Sequence, residues 1–278
     1  MNEAIDLANL QLTTDQTKHM QKVTERGIRL QQARYGTGYP EYRGGKYRGM
    51  WFHAGLHTST GVEAARPLGE KAGLSAAEIA IQEAAYAFHD VEQGRREPGK
   101  NEDDSAREFE DEVKRHPLPD VVGHVGSLLI KGTKCSVQDG KVTHQSWDDL
   151  LPKGSRDDPE LMKMIRVARS LDFVHLYQRI GPLQSLNLYR EIKKIGRTNP
   201  GDMKDFEGYQ ANQLHMAQTF EYPEPAAEEL YGKRDDRRRL VAHTADVLNA
   251  VKGPSRQFTT LQEVERVHLI FAHGKSAF

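Results

Sequence analysis

The chain has 278 residues, and its 39 lysines and arginines nearly balance its 40 aspartates and glutamates, so the net charge is −1 at pH 7. This balance predicts no strong nonspecific attraction to nucleic acid or to an anionic membrane. The single cysteine, Cys135, excludes an intrachain disulfide framework, and no apolar run reaches the length of a membrane-spanning helix. The acidic N-terminus lacks the pattern of a secretory signal, so we expect a cytoplasmic protein.

Apolar periodicity, capping signals and breaker residues predict an all-α fold. The predicted helices cover residues 13–34, 51–72, 75–90, 105–115, 120–131, 158–174, 182–195, 202–221, 224–251 and 260–273. Two other segments are distinctive. Residues 35–49 are expected to form a loop rich in glycine, tyrosine and basic residues, and 132–146 a small hairpin that turns at Asp139–Gly140.

His89 and Asp90 stand side by side at the end of a predicted helix that is apolar on nearly all its sides. Such a helix is expected to be buried, and a buried imidazole and carboxylate require polar or charged partners. A divalent metal ion is one such partner, because His and Asp are both good ligands for borderline metals. The alternative is that the helix reaches solvent at His89, where the helix dipole favours a C-terminal His.

Two further stretches carry residues with the same chemistry. His53 and His57 are four residues apart in a predicted helix and therefore share one face. They can serve as two ligands, or as one ligand and one proton donor. Asp172 interrupts the apolar face of the predicted helix 158–174 and is a further candidate ligand. The alternative for Asp172 is a carboxylate at the helix edge that pairs with a neighbouring arginine.

The order His57, His89–Asp90 and Asp172, with each on a separate predicted helix, resembles a known signature. It is similar to the H…HD…D pattern of the HD-domain superfamily of metal-dependent phosphohydrolases. The similarity extends over roughly residues 51–179, and its strongest local match is the run AAYAFHD.

This resemblance implies an HD-domain-like helical bundle with additional N- and C-terminal helices. It divides the chain into an N-terminal helix and loop (1–50), a catalytic core (51–180) and a C-terminal helical extension packed on that core (181–278), all in one globular unit. It also implies a divalent ion, one of Mn, Fe, Co, Ni, Zn or Mg, held by His57, His89, Asp90 and Asp172. Asp90 would in addition orient or deprotonate the attacking water.

The run FHAGLHT resembles the H-N-x-x-H-A motif of the cyclic-nucleotide phosphodiesterases, in which the first His protonates the leaving oxygen. It makes His53 the candidate general acid, although Ala54 stands where that motif has Asn. A similar run occurs in the SidE-type phosphodiesterase domains of bacterial effectors. That likeness implies a metal-independent alternative in which Glu102 or Glu92 takes part in acid–base catalysis. Glu102 also lies in NEDDSARE, which resembles the start of the helix after the HD pair in many members.

Phosphate binding is expected to involve cations near the proposed site. Arg169 lies three residues before Asp172, on nearly the same helix face, and Arg66 and Lys131 are further candidates. We therefore expect a metal-dependent hydrolase of a nucleotide-derived phosphodiester or phosphomonoester. The partner would be a small phosphate ester or nucleotide rather than nucleic acid or a membrane, and the oligomeric state stays open. The alternatives are a nucleotide mono- or triphosphohydrolase, a metal-independent phosphodiesterase, and a non-catalytic HD module that binds a nucleotide.

Overall fold

The structure is a computed structural model that describes residues 7, 10–36, 50, 52–53, 55–93, 100–151, 153–194, 201–252 and 258–274. The helices within this part of the chain are α1 (Thr14–Tyr35), α2 (Gly55–Lys71), α3 (Ala76–Phe88), α4 (Lys100–Val113), α5 (Asp120–Gly132), α6 (Trp147–Leu150), α7 (Pro159–Leu171), α8 (Gly181–Ile192), α9 (Met203–Thr219), α10 (Pro225–Tyr231), α11 (Arg234–Lys252) and α12 (Leu261–Ala272). The strands are β1 (Cys135–Gln138) and β2 (Lys141–His144), and a short 3₁₀ helix covers Lys153–Ser155.

These elements confirm the predicted all-α fold, since the two short strands form a single small sheet among the described residues. The loop predicted at 35–49 lies outside the described residues from position 37 onward. In the part of the chain that the structure describes, no helix is both long enough and apolar enough to span a membrane.

Side-chain caps fix the first residues of several helices. The Ser75 hydroxyl accepts a hydrogen bond from the Glu78 backbone N–H at 3.3 Å, and the Glu78 carboxylate accepts one from the Ser75 N–H at 2.6 Å. Thr260 and Glu263 form the same capping box before α12, and Asp158 caps α7 ahead of a proline. The predicted starts of these three helices are confirmed.

The prediction that His53 and His57 share a helix face is wrong, because α2 begins only at Gly55. The backbone N–H of His53 donates to the carboxylate of Glu191 on α8, at 3.4 Å, instead of entering a helix. His53 therefore lies in the turn that precedes α2, and His57 lies in the first turn of the helix.

Two other predicted helices have different bounds. The helix predicted from Ser105 begins at Lys100, and Ser105 is buried within it. Its hydroxyl accepts a hydrogen bond from the Glu92 backbone N–H at 3.0 Å, so it ties α4 to the turn after α3 rather than capping a helix. The predicted helix 224–251 is two helices, because the chain breaks near Gly232, a residue type of low helix propensity.

The predicted hairpin is confirmed, since β1 and β2 pair antiparallel through a two-residue turn. The turn residues Asp139 and Gly140 have positive φ angles of 51° and 75°, as a type I′ turn requires. Gly140 also lets the hairpin approach α9, because a Cβ there would lie 2.6 Å from the backbone oxygen of Asn212.

The main core surrounds α3, which packs against α1, α2, α5 and α7 and is buried on nearly all sides, as its sequence predicts. Gly61 of α2 lies against the ring of Tyr86 in α3, and a Cβ at Gly61 would lie 1.9 Å from a ring carbon. This close approach holds the beginning of α2 beside the end of α3.

A second, smaller group of buried apolar residues connects the C-terminal helices α8, α9, α11 and α12. Its members are Leu186, Tyr189, Met203, Phe206, Val247, Val251, Leu261, Val264 and Val267. Arg190 and Glu265 form an ion pair at 3.1 Å between α8 and α12, and both side chains are buried. This group fixes the position of α8, which supplies a residue to the functional site.

Candidate metal centre

Four side chains from three parts of the chain converge at one point. They are His57, His89, Asp90 and Asp172, and one ligand atom from each lies within 4.8 Å of the others. The His57 Nε2 atom is 3.2 Å from His89 Nε2, 3.3 Å from Asp90 Oδ2 and 3.2 Å from Asp172 Oδ1. The His89 Nε2 atom is 2.8 Å from Asp90 Oδ2 and 3.5 Å from Asp172 Oδ1. Ligands about 2.1 Å from one ion lie about 3.0–3.4 Å from one another, so this spacing fits a single metal.

Each of these ligands lies at or next to an end of a helix. α3 ends at Phe88, so that His89 is its C-cap and Asp90 follows in the turn. α7 ends at Leu171 with Asp172 as its C-cap, which corrects the prediction that the helix runs on to residue 174. The C-terminus of a helix carries partial negative charge, so two helices that end here favour a cation.

Hydrogen bonds orient the imidazole of His89. Its Nδ1 lies 2.6 Å from the backbone carbonyl oxygen of Tyr86, to which it donates, and the two rings stack with centroids 4.0 Å apart. Nε2 is then the nitrogen that faces the other three ligands, and it would bind a metal ion in place of its proton. His57 is also buried, and within the described residues its Nδ1 has no hydrogen-bond partner.

A chain of two amides orients the carboxylate of Asp90. The Gln93 Nε2 donates to Asp90 Oδ1 at 2.6 Å, and the Asn101 Nδ2 donates to Gln93 Oε1 at 3.0 Å. Asp90 Oδ2 is left to face the two histidines. Amide contacts of this kind hold a metal-binding carboxylate in place, and no sequence pattern predicts them.

The charges of the four side chains compensate one another. Burial opposes the protonated form of His89, but the charge of Asp90 and the hydrogen bond that His89 donates to Asp172 raise the pKa of His89 to about 10. Burial likewise opposes ionisation of Asp90, and the histidines around it nevertheless hold its pKa well below the usual range. Two ionised carboxylates that face two imidazoles in a buried site are a donor set that suits a divalent ion.

His53 lies beside this cluster and is held by Glu191. The Nδ1 of His53 is hydrogen-bonded to Glu191 Oε1, and its Nε2 lies 3.8 Å from Asp90 Oδ2. Burial lowers the pKa of His53, but the carboxylates of Glu191 and Asp90 outweigh burial and raise it to about 9. The imidazole is therefore protonated at neutral pH, with one nitrogen fixed and the other directed toward the ligands.

No sequence pattern points to Glu191. It is 138 residues from His53 in the chain and lies on α8, outside the region that resembles HD domains. No local pattern relates the two residues, because only the packing of α8 beside the turn at His53 brings them together.

A cavity of about 500 Å³ opens from the ligands toward the hairpin and helices α8 and α9. The predicted catalytic residues His53, Asp90 and Glu102 all line it. Burial, followed by the charge of Asp90, raises the pKa of the half-buried Glu102. Glu92, the alternative to Glu102, is not in the lining and pairs with Arg34 at 2.9 Å.

The structure does not bring the three predicted phosphate-binding cations to this cavity. Arg169 donates to the backbone oxygens of Gly132 and Gln145, at 2.9 and 2.7 Å, and its guanidinium lies over the Trp147 ring. The other two, Arg66 and Lys131, are also absent from the lining, and the first of them pairs with Glu83 at 3.0 Å. Arg169 therefore connects α7 to α5 and to the segment after β2.

No protein-family model matches this chain. No curated protein and no solved structure matches it either. What the site does is therefore inferred from its own donor atoms, cavity and charges.

Proposed function

We propose that this protein is a metal-dependent phosphoester hydrolase, with its reacting groups at the junction of the four ligands and the cavity. The observation that carries the proposal is the convergence of His57, His89, Asp90 and Asp172 within 4.8 Å. A divalent ion held there supplies Lewis-acid chemistry, since it lowers the pKa of water and offsets the charge of a phosphate group. The order of these ligands along the chain supports the further proposal that the protein is related to the HD-domain phosphohydrolases.

Contacts with neighbouring groups orient the ligands. The backbone oxygen of Tyr86 fixes the ring of His89, and the amide of Gln93 fixes the carboxylate of Asp90. Ordered ligands lose little conformational freedom on binding, which favours a stable metal site.

His53 is suited to act as the general acid. Its pKa, raised to about 9, keeps it protonated at neutral pH, and Glu191 holds Nδ1 so that Nε2 is the proton-donating atom. Proton donation to the leaving oxygen matters most when that oxygen belongs to an alcohol, because an alkoxide is a poor leaving group.

Glu102 is suited to accept a proton from water on the side of the cavity that faces Asp90 and Asp172. It lines the cavity, and burial, followed by the charges of these two carboxylates, raises its pKa above the usual value. A carboxylate with a raised pKa is a better base at neutral pH than an unperturbed one.

The test is hydrolysis of bis(p-nitrophenyl) phosphate by protein stripped with a chelator and then supplied with one metal at a time. Activity should return with a divalent ion. It should fall at least about a hundredfold in Asp172→Asn, because this variant lacks one of the four metal ligands. Asp111→Asn is the matched control, since Asp111 is exposed on α4 and is not in the cavity lining. Activity that persists in the stripped protein would instead support the metal-independent alternative, and no activity with any metal would contradict the hydrolase.

A further inference from the structure

A second pair of imidazoles meets outside the cavity, between α1 and the turn that follows α4. The Nδ1 atoms of His19 and His116 lie 3.0 Å apart, and their rings are inclined at 55° with centroids 5.2 Å apart. In the candidate metal centre, the Nε2 atoms of His57 and His89 are 3.2 Å apart. Since ligands of one ion lie about 3.0–3.4 Å from one another, His19 and His116 have the spacing of two nitrogens that share a metal.

Glu112 orients the ring of His116 from the last turn of α4. The His116 Nε2 donates to Glu112 Oε1 at 3.3 Å, and the Arg115 Nη1 donates to Glu112 Oε2 at 2.7 Å. This contact places the proton of the neutral ring on Nε2, so that the Nδ1 lone pair of His116 faces His19. A metal-binding histidine typically donates its other ring N–H to a carboxylate in the same way.

Burial and donor type indicate which ion fits between the two histidines. The side chains of His116 and Glu112 are 16% and 12% exposed, and His19 is half-buried. The rings are therefore held in place, while their partial exposure admits water molecules that complete the coordination. Imidazole nitrogens suit zinc, nickel and copper, whereas magnesium and manganese prefer oxygen ligands. With two protein ligands instead of four, this pair is expected to bind an ion more weakly than the candidate metal centre.

An ion between the two histidines would also affect the helix that borders the cavity. Near the opposite end of α1, Arg34 donates to both carboxylate oxygens of Glu108 on α4, at 2.9 and 3.1 Å. This pair connects α1 and α4 at one end, and an ion between the histidines would connect them at the other. The first turn of α4 carries Asn101 and Glu102, which line the cavity. The ion would therefore stabilise the helix that holds two residues of the cavity wall.

We propose that His19 and His116 form a second metal site, which takes a divalent ion of the zinc, nickel and copper group, with Glu112 as the residue that orients His116. The ion replaces the proton that the two Nδ1 atoms share, so binding releases a proton and weakens as the pH falls. This site is independent of the proposed hydrolase and of the four ligands at the cavity.

The test is a calorimetric titration of the parent protein and its variants with zinc. The parent should bind about two equivalents, and both His19→Gln and His116→Gln should lose the weaker one. Glu112→Gln should keep it with an affinity at least about tenfold lower, because the carboxylate that orients His116 is lost. His124→Gln is the matched control, since His124 is exposed on α5, and it should keep both equivalents. Thermal unfolding without zinc shows whether each variant is folded.

The inference would be overturned by a weaker equivalent that persists in both histidine variants, that His124→Gln loses to the same extent, or whose affinity Glu112→Gln leaves unchanged. A parent protein whose zinc binding is lost entirely in Asp90→Asn would also overturn it. If the parent instead binds a single equivalent that His19→Gln loses and Asp90→Asn keeps, this site stands and the proposed function fails.

Discussion

The contact between Glu191 and His53 leads to a prediction that distinguishes a catalytic role of these two residues from a structural one. Glu191→Gln keeps the size of the side chain and one acceptor for the backbone N–H groups of Phe52 and His53, but it removes the charge beside Nδ1. A hydrogen bond to a charged group contributes about 1.5–3 kcal/mol, which corresponds to about ten- to a hundredfold in rate if the pair acts in catalysis. Loss of the general acid itself in His53→Ala should cost about 10²- to 10⁴-fold.

The assay compares two phosphodiesters that differ in the leaving group, one an alkyl alcohol and the other p-nitrophenol. Because p-nitrophenolate departs without a proton, both variants should affect kcat strongly for the alkyl ester and only slightly for the nitrophenyl ester. The double variant should be no slower than His53→Ala alone, since Glu191 acts through His53. Equal losses for both esters, or losses that add in the double variant, would refute the reasoning. Thermal unfolding of each variant shows whether the fold is retained.

Three further predictions concern stability. Gly61→Ala should cost about 1–3 kcal/mol in urea unfolding, because the new methyl group overlaps the Tyr86 ring; an unchanged midpoint would contradict this packing. Ser75→Ala should cost about 1 kcal/mol in the same assay through loss of the α3 cap. Burial lowers the pKa of His243, which lies 2.9 Å from His268, to about 4, whereas the unfolded residue takes up a proton below about pH 6.5. Between these pH values the free energy of unfolding should fall less steeply with decreasing pH in His243→Gln than in the parent, and the slopes should differ by up to about 1.4 kcal/mol per pH unit. Equal slopes would show that His243 does not contribute to the pH dependence.

The sequence predicts those features of the site that depend on a single helix and its ends. The apolar pattern of α3 and its capping box predicted a buried helix that ends at His89 and Asp90, and the structure has both features. Asp172 was identified because a carboxylate interrupts an apolar face, and the structure brings it to His57 and His89. Each of these signals lies within one helix or at its end.

The remaining features depend on packing between distant segments, which spacing along the chain does not encode. The three-residue spacing predicts that Arg169 and Asp172 share a helix face, but the helix ends between them, and the guanidinium of Arg169 binds backbone oxygens and lies over the Trp147 ring instead. The i, i+4 spacing of His53 and His57 predicts that both lie in one helix. In the structure α2 begins only at Gly55, and the carboxylate of Glu191 accepts a hydrogen bond from the backbone N–H of His53 in the turn before it.

The central claim is that the four converging side chains bind a metal. The most direct measurement is the metal content, by elemental mass spectrometry, of protein purified without chelator, alongside Asp90→Asn and the control Asp111→Asn. We expect about one equivalent of a divalent metal in the parent and in Asp111→Asn, and loss of most of it in Asp90→Asn. A folded parent protein that contains no metal and takes none up on incubation with manganese, iron, cobalt, nickel, zinc or magnesium would contradict it.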